Sequence, residues 1–322
     1  MSDCSPLSTR KKLLFSFIVI GAFLALAEGA ARVLGLGKPR EVADYIANWK
    51  RQWDSDFYLM DASLIGPEHG INYDLVRDVP HELEVQPGTK RIACIGDSVT
   101  AGYGVGMFES YPLIMQKLLK DDGYKVEVFN IALPGWSTRQ ESIAYERIAR
   151  KYKPDQVILG FCLNDVAEMQ NNLMSQQPSA LMSFLYNHSY LVRWILRPQA
   201  HEIGRVEDLF TQANRLEIQN GWELCFEEIR RLADTTKQDK VDFVVVVFPF
   251  RFQVDDDPPE PVAQETLRKY CEENNIKFVD TLQSLKPLKR AGFVDHDHFT
   301  AQGATAVAKH LIKKNVPIVL AK

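Results

Sequence analysis

The stretch RIACIGDSVT, residues 91–100, decides how the rest of the chain is read. Its first half is a short apolar run without polar alternation, the pattern of a strand covered on both faces. Gly96-Asp97-Ser98 then breaks the run. This is the signature of a strand ending in a tight turn, which would expose the hydroxyl of Ser98 and leave the following N–H groups unsatisfied.

Working outward, similar apolar runs recur at 125–130, 156–161, 241–248 and 276–280, the run at 241–248 containing four consecutive valines at 244–247. Between and after these five candidate strands lie helical patterns at about 109–122, 138–152, 205–235, 260–274 and 301–314. Strands alternating with helices predict a parallel sheet covered by helices on both faces. Ligands of such sheets bind beyond the carboxyl ends of the strands, so chemistry is expected just after residues 95, 130, 161 and 280 or on a nearby loop.

Three further segments fit that placement: NIALPGWST at 130–138, GFCLND at 160–165 and DHDHFT at 295–300. Each alone has an ordinary reading as a turn, a helix cap or a surface pair. Together with Gly96-Asp97-Ser98 they supply the parts of a serine acyl-transfer site. Serine requires an adjacent base to be nucleophilic near neutral pH, and His298 is the candidate. Asp295, three residues earlier, is the candidate for holding the imidazole tautomer. Asp297 is the alternative acid. Backbone N–H groups of Ser98 and Gly135, with the side-chain amide of Asn164, are candidate oxyanion donors. A histidine base with an ordinary pKa predicts a rate rising near pH 6.5, its value in peptides of about 6.5.

The four segments, in this order, resemble the sequence blocks of the SGNH (GDSL-type) hydrolase superfamily over roughly residues 90–315. The resemblance implies a flavodoxin-like three-layer α/β/α fold with Ser98 as nucleophile, Gly135 and Asn164 in the oxyanion hole, and Asp295 and His298 completing the triad. It also implies hydrolysis or transfer of acyl groups without a metal or other cofactor. FTAQGATAVA, residues 299–308, is similar to the usual continuation of the last block into a helix. The third block departs from the usual Gly-x-Asn-Asp, because Cys162 stands where its glycine would be.

Competing readings of the same residues are weaker. Position 100 is threonine, so Gly-x-Ser-x-Gly is missing around Ser98. Gly102, Gly104 and Gly106 come too late after the strand for a dinucleotide loop. Consecutive residues 295–298 cannot all face one metal ion, which leaves His296 as a surface or cap residue. His81 and the other scattered histidines show no partner in sequence and read as structural. With 38 Lys and Arg against 42 Asp and Glu, the net charge is −4, and without a basic block nucleic acid is not an expected partner. The five cysteines lack a CxxC pair and read as free, largely buried thiols.

The chain begins differently. LLFSFIVIGAFLALA at 13–27 follows Arg10, Lys11 and Lys12, a membrane-targeting pattern. An uncleaved anchor with the remainder outside the cytoplasm is the first reading, and a signal cleaved after Ala25-Leu26-Ala27 is the second. The expected organisation is an N-terminal tip and anchor at 1–37, a stalk and domain-edge segment at 38–88, and a catalytic domain at 89–322 with a helical insertion at about 166–204. The insertion is rich in large apolar residues and reads as a helical pair on the domain, a cap, or a surface resting on the membrane. The substrate is expected to be an O-acyl ester, first an O-acetylated envelope or extracellular glycan and second a lysophospholipid or lipid ester. A non-catalytic accessory domain of the same fold is the competing class.

Overall fold

The computed structural model describes residues 8–36, 51–54, 57–60, 62–66, 70–171, 181, 184–185, 188–196 and 198–320. The first part of the expected stalk and domain-edge segment at 38–88, up to residue 50, therefore lies outside the described residues, as does much of the insertion. The chain divides into two compact units. One joins Met1–Asp44 to Pro178–Pro198, and the other joins Tyr45–Gln177 to Gln199–Lys322.

The larger unit opens with an antiparallel hairpin, β1 (Arg51–Asp54) and β2 (Phe57–Met60). Five parallel strands follow: β3 (Lys90–Gly96), β4 (Val126–Ala132), β5 (Gln156–Cys162), β6 (Asp242–Phe248) and β7 (Lys277–Asp280). Their order across the sheet is β4-β3-β5-β6-β7. All five were legible as apolar runs, and each boundary moves by no more than two residues. Every residue of β5 is buried, as is the valine run of β6, because helices cover both faces.

Among the described residues the α-helices follow in chain order. The first, α1, spans Thr9–Leu34 in the smaller unit. In the larger unit α2 (Ser98–Ala101), α3 (Tyr111–Asp121), α4 (Thr138–Arg147) and α5 (Asn164–Asn171) accompany the first three sheet strands. After α6 (Tyr190–Leu196) come α7 (Pro198–Thr211), α8 (Leu216–Gln238), α9 (Val262–Glu273), α10 (Leu282–Leu285) and α11 (Ala301–Lys313). Helices α3 and α11 pack together against one face of the sheet, while α4, α5 and α8 pack together on the other. The expected single helix at 205–235 is two helices, α7 and α8. A turn closed by the Arg215 N–H on the Gln212 carbonyl at 2.9 Å separates them. The break lets Val206 and Leu209 of one helix and Ile218, Trp222 and Cys225 of the other all reach the core.

The amino ends of β3 and β4 are tied to the segment before them. Arg91, 1% exposed, donates to Glu127 and to the carbonyls of Glu82, Leu83, Glu84 and Tyr152. His81 lies between Asp78 (2.8 Å) and Glu127 (2.9 Å), so it has partners that the sequence did not reveal. Burial opposes its charge, but these two carboxylates outweigh that effect and raise its pKa to about 9. Cys94, Cys162, Cys225 and Cys271 are free and buried, and burial pushes each thiol above its ordinary pKa.

Candidate active site

Strands β4, β3 and β5 lie side by side in parallel, with Gly96 paired to Ala132 on one side and to Gly160 on the other. Ser98, Gly135 and Asn164 each follow within three residues of one of these strand ends. They consequently share the carboxyl edge of the sheet. Ser98 and Asn164 flank the point where the strand order reverses, between β3 and β5.

Ser98 opens α2 directly after the turn. Asp97 caps that helix, its Oδ1 accepting the Val99 N–H at 2.9 Å. Gly96 permits a close approach here, since a Cβ would lie 2.2 Å from the Thr100 hydroxyl. The Ser98 hydroxyl faces His298 Nε2 at 2.8 Å. His298 Nδ1 in turn faces Asp295 Oδ1 at 2.8 Å. Asp295 Oδ1 also accepts the His298 backbone N–H at 3.1 Å, which fixes the carboxylate relative to the ring.

The loop carrying these two residues is closed at its base by a bridge between Phe293 and Phe299, with the Val294 N–H donating to the His298 carbonyl at 2.7 Å. Arg251 braces it from another segment. Its Nη1 donates to the Asp295 carbonyl and its backbone N–H to the His296 carbonyl. Tyr103 packs on the His298 ring with centroids 4.2 Å apart. Neither Arg251 nor Tyr103 carried any sequence signal, because both reach the loop from distant segments. His296, expected at the surface, is buried and places Nε2 3.3 Å from Asp297 Oδ1.

Asp297 Oδ1 lies 2.9 Å from His298 Nδ1, so two carboxylates face the same nitrogen. Burial works against the imidazolium, but the Asp297 charge and the bonds to Asp295 and Asp297 outweigh it and hold His298 well above 6.5. Asp295 moves the other way. Its burial is outweighed by its hydrogen bond to His298 and the charges of His298 and His296, so it stays ionised far into acid. The expected rate profile near pH 6.5 is corrected accordingly. A base must be neutral to act, so kcat/KM should climb with pH through a midpoint clearly above 6.5. A profile already flat from pH 6.5 upward, measured with chemistry rate-limiting, would contradict this. Ligand-type atoms of Asp295, Asp297 and His298 fall within 4.8 Å of one another, a spacing that would also suit a small cation. Nε2 of the same histidine is directed at Ser98, the geometry that a proton transfer between them requires.

Gly135 lies in the turn Leu133-Pro-Gly-Trp136, closed by the Trp136 N–H on the Leu133 carbonyl at 3.2 Å. Proline at the second position and glycine with φ 81° at the third are what a type II turn requires. The Gly135 N–H is left outside that closing bond. Hairpin strand β2 supports the turn: Tyr58 donates its hydroxyl to the Pro134 carbonyl at 2.6 Å, and the Trp136 indole donates to the Tyr58 carbonyl at 3.0 Å. Asn164 is buried at the start of α5. The next residue, Asp165, accepts the Thr138 hydroxyl at 2.9 Å and so ties the second segment to the third. Burial, with the nearby Glu141 and Asp97 charges, raises the Asp165 pKa strongly.

A cavity of about 450 Å³ is lined by Ala167 of α5, Arg205, Asp208 and Leu209 of α7, and the amino end of α8. Cys225 of α8 contacts Thr138, which begins just beyond the strand ends. Ser98, Gly135, Asn164, Asp295 and His298 are not part of the cavity's lining.

The strand order β4-β3-β5-β6-β7, with a serine at its carboxyl edge, together with the family match at residues 94–306, is that of an SGNH-type ester hydrolase. The profile of the GDSL-like lipase/acylhydrolase family matches residues 94–306, and the chain belongs to that family. Among solved structures, TesA matches at 11% identity, covering 71% of this chain and 99% of its own, with a TM-score of 0.46. A catalytic mutant of Axe2, an acetylxylan esterase from Geobacillus stearothermophilus, matches at 18% identity, covering 71% and 96%, with a TM-score of 0.45. The acetyl xylan esterase AlAXEase matches at 14% identity, covering 70% and 98%, with a TM-score of 0.46. A comparison with curated proteins finds no match.

Proposed function

We propose that the protein removes O-acyl groups, first of all O-acetyl groups from an envelope or extracellular glycan, through an acyl-Ser98 intermediate. The observation that carries this reading is the continuous Ser98–His298–Asp295 chain, with 2.8 Å at each link. Ser98 Oγ attacks the ester carbonyl while its proton passes to His298 Nε2. The oxyanion is received by the N–H groups of Ser98 and Gly135 and by the Asn164 amide. The alcohol departs with the proton from His298, and water, or an acceptor hydroxyl in the case of transfer, resolves the acyl-enzyme by the same steps in reverse.

Asn164→Ala should then lower kcat by about 10²–10³ with little change in KM, the usual loss for one oxyanion donor. An unchanged kcat in a folded variant would remove Asn164 from this role.

Support for a glycan comes from the placement read for the catalytic domain, since an anchored domain outside the cytoplasm meets envelope polysaccharides rather than cytosolic thioesters. Our reading of the organisation is an anchor at 1–37, a connecting segment at 38–88 and a catalytic domain at 89–322 placed outside the cytoplasm. Helix α1 is long and apolar enough to span a membrane, a property that signal sequences share.

The test is a series of p-nitrophenyl esters of increasing chain length, together with acetate release from O-acetylated polysaccharides. Turnover should be greatest for acetyl and fall with longer chains. Preference for long chains would replace the glycan with a lipid ester, and wild-type turnover equal to that of Ser98→Ala would overturn the serine route.

A further inference from the structure

The smaller unit contains a joint whose residues are far apart in sequence. Glu28, near the end of α1, accepts four hydrogen bonds. Its Oε2 takes the Ser189 hydroxyl at 2.7 Å and the Leu191 N–H at 2.9 Å. Its Oε1 takes the Tyr190 N–H at 3.0 Å and Arg32 Nε at 2.7 Å. Arg32 also donates Nη2 to the His188 carbonyl at 2.8 Å and sits 4.8 Å from the centre of the Tyr190 ring. Ala31, between them on α1, is buried. Glu28 thereby satisfies the Tyr190 and Leu191 N–H groups at the start of α6, which a helix leaves without partners of its own.

Around this polar joint the unit exposes large apolar side chains from both of its parts. On α1 they include Phe15, Phe17, Ile18 and Phe23. On the insertion they are Leu181, Phe184, Leu185 and Ile195, with Phe184 59% and Ile195 61% exposed. Leu181, Phe184 and Leu185 stand at i, i+3 and i+4, the spacing of one helical face.

We propose that residues 1–36 stay on the mature protein, and that Leu181, Phe184 and Leu185 together with residues 188–196 belong to a second membrane-contacting element fastened to α1 by Glu28 and Arg32. This rests on the reading of α1 as an anchor and goes beyond it. The apolar run Leu13–Ala27 rises about 22 Å as an α-helix, shorter than the hydrocarbon thickness of about 30 Å, a mismatch met by local thinning of the bilayer and by snorkelling of Lys11, Lys12 and Arg32. Glu28 and Arg32 then fall at the level of the lipid headgroups, where a fully hydrogen-bonded ionic joint is tolerated. The apolar side chains of 181–195 are placed to enter the adjoining acyl boundary as an interfacial helix does. Cleavage after Ala27 would remove the helical turns that hold Glu28 and Arg32 in register, and the joint would fray.

The test uses the full chain, purified from membranes and reconstituted in nanodiscs of phosphatidylcholine and phosphatidylglycerol. Intact mass should show that residues 1–27 are retained, and their absence would overturn both the anchor reading and the joint. Amide exchange at Tyr190 and Leu191 should be slow in the wild type and faster by about tenfold or more in Glu28→Ala. Equal exchange would refute the joint alone. A photo-crosslinking residue at position 185 should capture lipid, with the yield falling in Glu28→Ala and in Arg32→Ala. Capture of water only, with residues 1–27 present, would overturn the proposal while leaving the anchor standing. Turnover of p-nitrophenyl acetate should be equal in all these variants, which separates the result from any failure of the esterase mechanism.

Discussion

Ser98→Ala is expected to lower kcat by a factor on the order of 10⁶, the scale seen when a serine hydrolase loses its nucleophile. The same variant should lose covalent labelling by a fluorophosphonate probe, because on the proposed mechanism labelling requires the Ser98 hydroxyl. The alanine should fold normally. Ser98 is the buried first residue of a helix already capped by Asp97, and among the described residues its side chain bonds only to His298 and, at a longer distance, to Asp97. A variant that is folded, by circular dichroism and thermal unfolding, and retains even one hundredth of wild-type turnover would require another nucleophile.

The second large effect separates the two acids. Asp295→Asn should lower kcat by about 10⁴, because the amide would favour the wrong imidazole tautomer. Asp297→Asn should cost much less, since Asp295 is the residue that also accepts the His298 backbone N–H and thus keeps its place beside the ring. Both changes remove a negative charge near His298, so both should lower the midpoint of the rate profile towards the ordinary histidine range. The comparison of kcat values therefore assigns the acid, and the shared shift checks that both charges act on one nitrogen. Equal losses of kcat in the two variants would show the acid to be divided between them.

The sheet was readable because buried parallel strands are written as unbroken apolar runs, and such runs have few other uses in a chain of this composition. The edge residues were readable because turns after strands bring glycine, aspartate and asparagine to places where they break the pattern. What escaped had a different physical origin. Tyr58 and Trp136 brace the Gly135 turn across 78 residues of separation, and Arg251 supports the Asp295 loop across 44. Contacts of that kind depend on how the elements come together and leave no local periodicity. The hairpin of β1 and β2 was missed because its strands are four residues long and β2 is buried almost throughout, so neither shows alternation. Glu28 read as a charge ending an apolar run, and only the position of α6 reveals what it accepts.

The four interior thiols give the molecule a built-in reporter. Each is shielded and reluctant to ionise, so an alkylating reagent such as iodoacetamide meets almost no thiolate at these positions while the native packing persists. The pace at which Cys94, Cys162, Cys225 and Cys271 become modified thus measures how often the sheet and its covering helices come apart. Maleimide handles can be introduced at outer positions of this unit without competition from within.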